Sequence, residues 1–221
     1  LRPRLEISFS NNCYSINALN ERGEFLLELV RTHFSNSGFD FIRGFNDQQT
    51  SLHGTIPATA AIQNEEDRTK QPSIFHIIRE LKQLFASDED QFFGLYGAFG
   101  FDLIYQFEQL AKEKKRPDDQ KDLVLYLPDE LTIVDHHLSI AYTLSYDVQF
   151  NKKSTNHLER TGQFKPYERG TLTRETPYKK GYYADLVKKA IPSFHAGDLF
   201  EVVPTQVLEK SLVLTPSEVF Q

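Results

Sequence analysis

Apolar and polar residues alternate over residues 5–9 and again over residues 14–18, which is the two-residue period of half-buried strands. The two asparagines between these runs, Asn11 and Asn12, tolerate the positive φ of a tight turn. The pattern therefore predicts a β-hairpin at the start of the chain. A second turn is predicted at residues 20–23, where Asn-Glu-Arg-Gly follows the hairpin.

Two stretches in the first half of the chain have the apolar spacing of helices. Apolar residues recur on one side of a helix over residues 24–34 and more regularly over residues 74–85, where charged residues cover the other side. Pro72 lies at the start of the second stretch, and proline suits the first turn of a helix. We predict a helix over each stretch, with loops and short strands between them.

The run from Phe92 to Phe107 combines aromatic residues with three glycines, at positions 94, 97 and 100. Because glycine weakens a strand, three glycines in an aromatic run predict close backbone approach or sharp curvature. A phosphate-binding loop is the functional alternative, but it requires a lysine followed by serine or threonine after the last glycine, and the sequence has none there. Asp102 is predicted to cap a helix that begins after it.

Strands are predicted next over residues 123–126 and 131–134, interrupted by Pro128-Asp129, and over the alternating residues 140–146. Asp135-His136-His137 would form the polar tip of a hairpin. A metal site at these three residues is the alternative. Adjacent strand residues point to opposite faces of a sheet, however, so the two histidines are poorly placed to chelate one ion.

Residues 150–176 have little apolar periodicity and predict a linker. A helix is predicted to follow over residues 179–194, with Gly197 as its C-terminal cap, and then a buried strand over residues 199–208. Glu201 lies within this apolar strand. It either points to solvent by alternation, or it faces a site in which its apolar neighbours shield it from water.

Composition narrows the function classes. The chain has 221 residues, of which 39% are hydrophobic, enough to bury a core. Its net charge of -6 argues against a nucleic-acid partner, whose phosphates need a basic face. No apolar run approaches the roughly 18 residues of a membrane span. The single cysteine, Cys13, excludes an internal disulfide framework and fits a reducing cytoplasm, so we interpret it as structural.

Together these elements predict an α+β fold with a large antiparallel β-sheet and packed helices. The chain begins at Leu1 and contains no methionine, which predicts that it is a fragment of a longer protein.

Several stretches carry a resemblance to a known family. The segment Gly197-Asp-Leu-Phe-Glu-Val-Val-Pro-Thr-Gln206, with the helix before it, resembles the start of the chorismate-binding catalytic domain of anthranilate synthase component I. Gly94-Leu-Tyr-Gly-Ala-Phe-Gly-Phe-Asp102, together with Leu-Pro-Asp-Glu at 127–130 and Asp-His-His at 135–137, is similar to the branch in which that component is fused to its glutaminase.

The resemblance implies three parts. Residues 1–149 would be the N-terminal domain, incomplete at its start, residues 150–176 the linker, and residues 177–221 the truncated start of the catalytic domain. The family's tryptophan feedback site contains a Leu-Leu-Glu-Ser motif. Leu26-Leu27-Glu28 matches it only in part because Leu29 takes the place of serine. We therefore predict core packing there rather than a feedback site.

The resemblance also implies the activity of a lyase, anthranilate synthase, which converts chorismate and ammonia from glutamine to anthranilate and pyruvate in tryptophan biosynthesis. The implied partners are chorismate, a glutamine amidotransferase domain or subunit, tryptophan as a feedback inhibitor and a second copy in a homodimer. The implied cofactor is Mg²⁺, with ligands expected beyond residue 221, so this fragment alone would be inactive. Another aminating chorismate enzyme, aminodeoxychorismate or aminodeoxyisochorismate synthase, and a non-catalytic regulatory or binding module are the alternatives.

For Glu201, the resemblance implies a catalytic role. Water-using chorismate enzymes carry a lysine at the matching position, and ammonia-using relatives usually carry glutamine. Glutamate departs from the commonest pattern but is compatible with the fused branch. The implied role is to orient ammonia near the ring of the substrate.

Overall fold

A seven-stranded antiparallel β-sheet organises the first of the two units into which the chain divides, residues 1–163 and 164–221. The computed structural model describes residues 2–58, 70–88, 90–108, 110–111, 115–160, 178–208 and 214–220. The strand order is β3-β4-β2-β1-β6-β5, and β7 pairs with the second half of β6. The predicted α+β class with a large antiparallel sheet is confirmed.

The sheet is formed by seven strands: β1 Arg2–Ser10, β2 Cys13–Ala18, β3 Asn46–Gln48, β4 Ser51–Thr55, β5 Tyr96–Phe99, β6 Leu123–Asp135 and β7 Ile140–Ser145. A separate two-stranded sheet consists of β8 Gln149–Phe150 and β9 Lys153–Ser154. The helices of this unit are α1 Glu21–Ser35, α2 Asp40–Arg43 and α3 Ile74–Leu84, with 3₁₀ helices at Phe101–Gln106 and Thr155–His157.

The predicted N-terminal hairpin is confirmed. β1 and β2 pair in antiparallel register down to Ser10 and Cys13, and the turn between them places Asn11 and Asn12 at φ values of 52° and 62°. This left-handed conformation is more accessible to asparagine than to most other residues, which is why two asparagines can close the hairpin.

The second predicted turn, at residues 20–23, is wrong because these residues begin helix α1. Asn20 is the N-cap, and its side chain accepts a hydrogen bond from the backbone N–H of Gly23 at 2.9 Å. Asparagine and glycine are both common in turns, but asparagine is equally suited to satisfying the free N–H groups at a helix start. The helix then covers the predicted stretch 24–34.

Helix α1 lies against β1 and β2 and also contacts α3, and these elements enclose the core. Leu26 and Leu27 are buried in it, whereas Glu28 is exposed. The packing predicted for this partial motif is therefore confirmed. The core residues of β1, α1 and α3 are Leu5, Ile7, Phe9, Leu26, Leu27, Leu29, Val30, Phe34, Ile74, Ile77 and Leu81.

The three glycines of the aromatic run differ in how closely other atoms approach them. At Gly97 in β5, an added Cβ would overlap the backbone carbonyl oxygen of Val124 in β6, so the predicted close backbone approach is confirmed there. Gly100 approaches Asp122 more loosely, and Gly94 has open space around it. The predicted cap at Asp102 is wrong. Gly100 is the N-cap of the 3₁₀ helix, and the Asp102 carboxylate instead accepts a hydrogen bond from a side chain, that of Gln120.

The predicted break at Pro128-Asp129 is absent, because β6 continues through both residues to Asp135. The pairing of β1 with β6 is irregular at this point, where Pro3 lies opposite Pro128. A register irregularity accommodates two residues that cannot donate a ladder hydrogen bond, so the strand survives its proline.

The polar tip predicted at Asp135-His136-His137 is confirmed. The Asp135 carboxylate accepts hydrogen bonds from the backbone N–H groups of His137 and Leu138, at 2.8 and 2.9 Å. These bonds close the turn between β6 and β7, so the aspartate has a local structural role.

Residues 150–160, the first part of the predicted linker, form β9 and a 3₁₀ helix and contribute Arg160 to ion pairs with Asp129 and Asp147. The rest of the predicted linker, residues 161–176, lies outside the described residues. The division of the chain into a domain, a linker and a second domain stays a prediction. No helix in the described part of the chain is long and apolar enough to cross a membrane.

Tyr14 is a core residue with an unusual polar atom. Its side chain is 1% exposed and packs edge-on against Phe34, with ring centroids 6.5 Å apart. It also covers Gly54 on the paired strand, where an added Cβ would overlap the phenol ring. Its hydroxyl has no hydrogen-bond partner within the described residues. Burial raises the pKa of Tyr14 from 10.0 to about 12.

We expect Tyr14→Phe to leave the free energy of unfolding at pH 7 unchanged to within about 0.5 kcal/mol, because the lost hydroxyl makes no hydrogen bond. At alkaline pH, the free energies of unfolding of Tyr14→Phe and the parent should differ. The raised pKa means that the neutral phenol stabilises the fold below pH 10 and that this contribution is lost as the pH rises towards 12. Between pH 7 and pH 11, the free energy of unfolding should therefore fall by about 1 kcal/mol less for Tyr14→Phe than for the parent.

Urea denaturation at pH 7, 10 and 11 measures both effects. Tyr142→Phe is the matched control, since Tyr142 is exposed on β7. A parent and a Tyr14→Phe variant that lose stability in parallel between pH 10 and 11 would contradict the interpretation.

Candidate functional site

The stretch that carries the predicted site residue belongs to the second unit. Its helix α4 spans Tyr182–Ala196, slightly later than the predicted 179–194, and continues past Pro192. Gly197 ends it at a φ of 80°, a left-handed conformation that suits glycine. The predicted glycine cap is thus confirmed. A short helix α5, Pro216–Phe220, follows near the end of the chain.

The buried strand predicted over residues 199–208 is not formed. Residues 201–208 have no regular secondary structure, and none of the described residues after 160 belongs to a strand. A strand requires a neighbouring strand to satisfy its backbone N–H and C=O groups, and apolar alternation alone does not supply one. The segment is apolar as predicted, but no strand among the described residues after 160 is available to pair with it.

Glu201 is exposed, next to a fully exposed Phe200 at 99%. Of the two orientations that the sequence allowed, this structure places the carboxylate in solvent. The chain after it returns towards the start of α4, where the backbone N–H of Val207 donates a 3.4 Å hydrogen bond to the Tyr178 hydroxyl. Tyr178 in turn stacks on Tyr182 with ring centroids 4.4 Å apart. These contacts hold the segment close to the helix that precedes it.

Helix α4 presents an apolar stripe without burying any residue in the described part of its unit. The spacing of three and four residues is that of a helix with one core-facing side. The stripe consists of Tyr183, Leu186, Val187, Ala190, Ile191 and Phe194. Its polar side carries Asp185 and Lys188, 3.7 Å apart. Helix α4 and the segment after it, which contains Glu201, thus both expose apolar side chains.

In the first unit, the structure assembles a buried polar cluster that sequence patterns did not reveal. Asp129 in β6 is 3% exposed, and its carboxylate oxygens bind Arg4 of β1 at 2.5 Å and Arg22 of α1. Arg160 lies 3.2 Å from the same carboxylate. Arg22 also binds Asp147 at 2.9 Å.

This polar cluster has few free hydrogen-bonding groups. The Arg22 guanidinium also donates to the backbone oxygens of Tyr146, Leu158 and Thr155. Hydrogen bonding from Arg22 lowers the pKa of Asp147, with smaller contributions from Arg160 and from Thr155. Because its donors are occupied by protein acceptors, the cluster is suited to fastening elements together rather than to binding a substrate. The signal available in the sequence was an aspartate inside an apolar strand, in the Leu-Pro-Asp-Glu segment.

Metal ligands are not grouped within the described residues, where no three histidine, cysteine, aspartate or glutamate side chains lie close enough to hold an ion. The carboxylate of Asp135 is occupied by the turn, as described above. The three residues of the Asp-His-His tip thus do not form the alternative metal site.

Comparisons with known proteins concern nearly the whole chain. A family described as chorismate binding enzyme matches residues 40–221. The chain is 36% identical over 220 residues to a protein named anthranilate synthase in Azospirillum brasilense. It is 25% identical over 215 residues to anthranilate synthase component 1 of Buchnera aphidicola from Diuraphis noxia, and 26% identical over 168 residues to that of Serratia marcescens.

These relatives are longer than the chain. The matches cover 99%, 89% and 69% of this chain, but only 30%, 40% and 32% of the respective relatives. The chain therefore spans well under half of the length of these curated relatives.

Proposed function

Because this chain belongs to the chorismate-binding enzyme family, we propose that it acts as part of an anthranilate synthase, a lyase that forms anthranilate and pyruvate from chorismate and ammonia. The observation that carries the proposal is the match to a relative of that name along 99% of this chain. The other named relatives are anthranilate synthase components as well. They do not favour the alternatives of an aminodeoxychorismate-type enzyme or a regulatory module.

The contents of the two units support a structural role for the first and a role in chorismate binding for the second. In the first unit the helix-covered sheet and the buried Asp129 cluster present no evident catalytic group among the described residues. In the second unit, helix α4, its glycine cap and the segment with Glu201 are exposed. They carry many apolar side chains that are not buried in the described part of the unit. We assign residues 1–149 to an N-terminal domain, 150–176 to a linker and 177–221 to the start of the chorismate-binding domain.

Glu201 is the residue of this chain that we assign to the reaction. Its carboxylate is unencumbered by ion pairs in the described residues, so its oxygens are free to accept hydrogen bonds from ammonia. A carboxylate that holds ammonia in line with the ring carbon would act by positioning, which lowers the barrier without a covalent step. Shielding by the apolar neighbours Phe200 and Val202 would strengthen those hydrogen bonds once the segment is covered.

Chorismate is a dicarboxylate, and a chain with a net charge of -6 needs cations to hold it. Mg²⁺ is the cofactor that the family implies, but the described residues do not fit a Mg²⁺ site, since they offer no cluster of three ligands. The ligands of the metal would therefore lie outside these residues. A glutamine amidotransferase as the ammonia source, tryptophan as an inhibitor and a homodimer belong to the same proposal.

Product analysis tests the proposed activity in the complete protein. With chorismate, Mg²⁺ and ammonium, it should release anthranilate and pyruvate in equal amounts. Anthranilate is measured by its fluorescence, and pyruvate by the coupled oxidation of NADH. An aminated product without pyruvate would instead indicate an aminodeoxychorismate-type enzyme. A complete protein that consumes no chorismate would indicate a non-catalytic module. Residues 1–221 alone are expected to be inactive in the same assay.

In the complete protein, we expect Glu201→Ala to lower ammonia-dependent turnover about tenfold or more, since a lost positioning group typically costs at least that much. Glu201→Gln should retain more activity, because an amide oxygen still accepts hydrogen bonds. The measurement is initial-rate anthranilate formation at varied ammonium concentration, with circular dichroism to verify folding.

Asp185→Ala is the control, an exposed acid on the polar side of α4 in the same unit. If Glu201→Ala and Asp185→Ala turn over ammonia at the parental rate, Glu201 has no role in the reaction.

A further inference from the structure

The side of the sheet opposite the helices contains a polar cavity. Its volume is about 540 Å³, within the range of small-molecule sites. It is lined by β1, β2, β4 and Asn46 of β3, together with Gly44 and Lys121 from outside the strands. Ser8 alternates with the core residues of β1, so its side chain lies on this outer side. Ser8 pairs with Ser15, and Ser15 pairs with His53, so the three side chains stand next to one another across three strands.

The charge of the cavity lining is opposite to that of the chain. Although the whole chain has a net charge of -6, the lining contains neither aspartate nor glutamate. It contains Lys121 and His53 instead, together with the hydroxyls of serine and threonine residues. Lys121 is exposed and forms no ion pair with a carboxylate in the part of the chain that the structure describes. Such a lining favours anions over cations.

Ser8 supplies an independent observation. Its side chain is only 6% exposed, yet its hydroxyl makes no hydrogen bond to any described residue. The two neighbouring serine hydroxyls are occupied, since Ser10 donates to the Gln120 backbone oxygen at 3.0 Å and Ser15 donates to the Asn17 side chain at 2.9 Å. The Ser8 hydroxyl is not among the fully buried side-chain atoms that lack a partner, so it is accessible from the cavity and can donate a hydrogen bond to an acceptor there.

We propose that this cavity binds a small molecule with anionic oxygens, a carboxylate or a phosphate. The Ser8 hydroxyl donates to one oxygen, and the Lys121 ammonium neutralises the charge. The imidazole of His53 is oriented by a 2.9 Å contact between its Nε2 and the Ser51 hydroxyl, and it lines the wall beside Ser15. This site lies in the first unit and is independent of the proposed role of Glu201, so either proposal can fail without the other.

Cys13 provides a direct readout, because it is the only cysteine of the chain, is exposed and lines this cavity. Its alkylation by the neutral reagent N-ethylmaleimide is followed at constant pH and ionic strength, with inorganic phosphate or malonate as the probe and chloride as the reference salt. An anion present at ten times its Kd should slow the reaction about tenfold, in proportion to the fraction of empty sites. If only one of the two anions slows alkylation, that anion represents the preferred class of ligand.

The variants Lys121→Ala and Ser8→Ala should each lose most of this protection, while Lys82→Ala, which removes an exposed lysine of α3, should retain it. Lys121 is exposed, so its replacement leaves the fold intact and keeps the test valid even if Ser8→Ala is unstable. The proposal is overturned if neither anion slows alkylation more than chloride does, or if Lys121→Ala is protected as well as the parent.

Discussion

Replacing Asp129 with alanine is expected to lower the free energy of unfolding by about 3–5 kcal/mol, the typical loss when one partner of a buried ion pair is removed. Asp129 joins Arg4 of β1 and Arg22 of α1, and both guanidinium groups are almost completely buried. Without this carboxylate, the buried Arg4 would lose its ion-pair partner and Arg22 would keep only the half-exposed Asp147. The variant would also release the elements that this carboxylate connects.

Urea denaturation of the 221-residue chain, followed by circular dichroism, measures this loss. Asp47→Ala is the matched control, because Asp47 forms an ion pair with Arg31 at 2.6 Å in an exposed position. Exposed pairs contribute at most about 1 kcal/mol, so the control should change little. Asp129→Asn should fall between the two, since it keeps one acceptor oxygen but no charge. Equal losses for Asp129→Ala and Asp47→Ala would show that the buried cluster does not stabilise the fold.

Gly23→Ala is expected to destabilise the chain by about 2–3 kcal/mol, in the range of overpacked cores. Gly23 lies in the first turn of α1, where an added Cβ would overlap the backbone carbonyl oxygen of Arg4. The overlapped atom belongs to the central strand β1 and already accepts a hydrogen bond from the Leu19 backbone N–H at 2.9 Å. It cannot move without disturbing the sheet, so α1 must shift away from the core.

The sign of this effect distinguishes packing from helix propensity. Alanine is about 1 kcal/mol better than glycine inside a helix, so propensity alone predicts that Gly23→Ala stabilises the chain. Gly38→Ala is the control, because Gly38 is exposed and an added Cβ there would meet no atom within 4 Å. The two variants are compared by thermal and urea denaturation. A Gly23→Ala variant as stable as the parent would rule out the close approach of α1 to β1.

Local patterns predicted the elements whose stability is local. The hairpin at Asn11-Asn12, the helices α1 and α3 and the glycine cap at Gly197 all follow from residues that are neighbours in the sequence. The resemblance at Gly197–Gln206 likewise led to the family that matches residues 40–221. In each instance the deciding interaction, a turn conformation, a helix side or a motif, is contained within a short stretch of chain.

The remaining features depended on residues far apart in the sequence. The aspartate of β6 became a buried anchor because Arg4 and Arg22 reach it from over a hundred residues away. Gly97 is required by the backbone of Val124, and the polar cavity is assembled from residues as distant in sequence as Ser8 and Lys121. For residues 199–208 the sequence determined only that the segment is apolar. Whether Glu201 sits in a strand depends on a neighbouring strand, because backbone hydrogen bonds between strands are made in three dimensions and leave no mark on the segment itself.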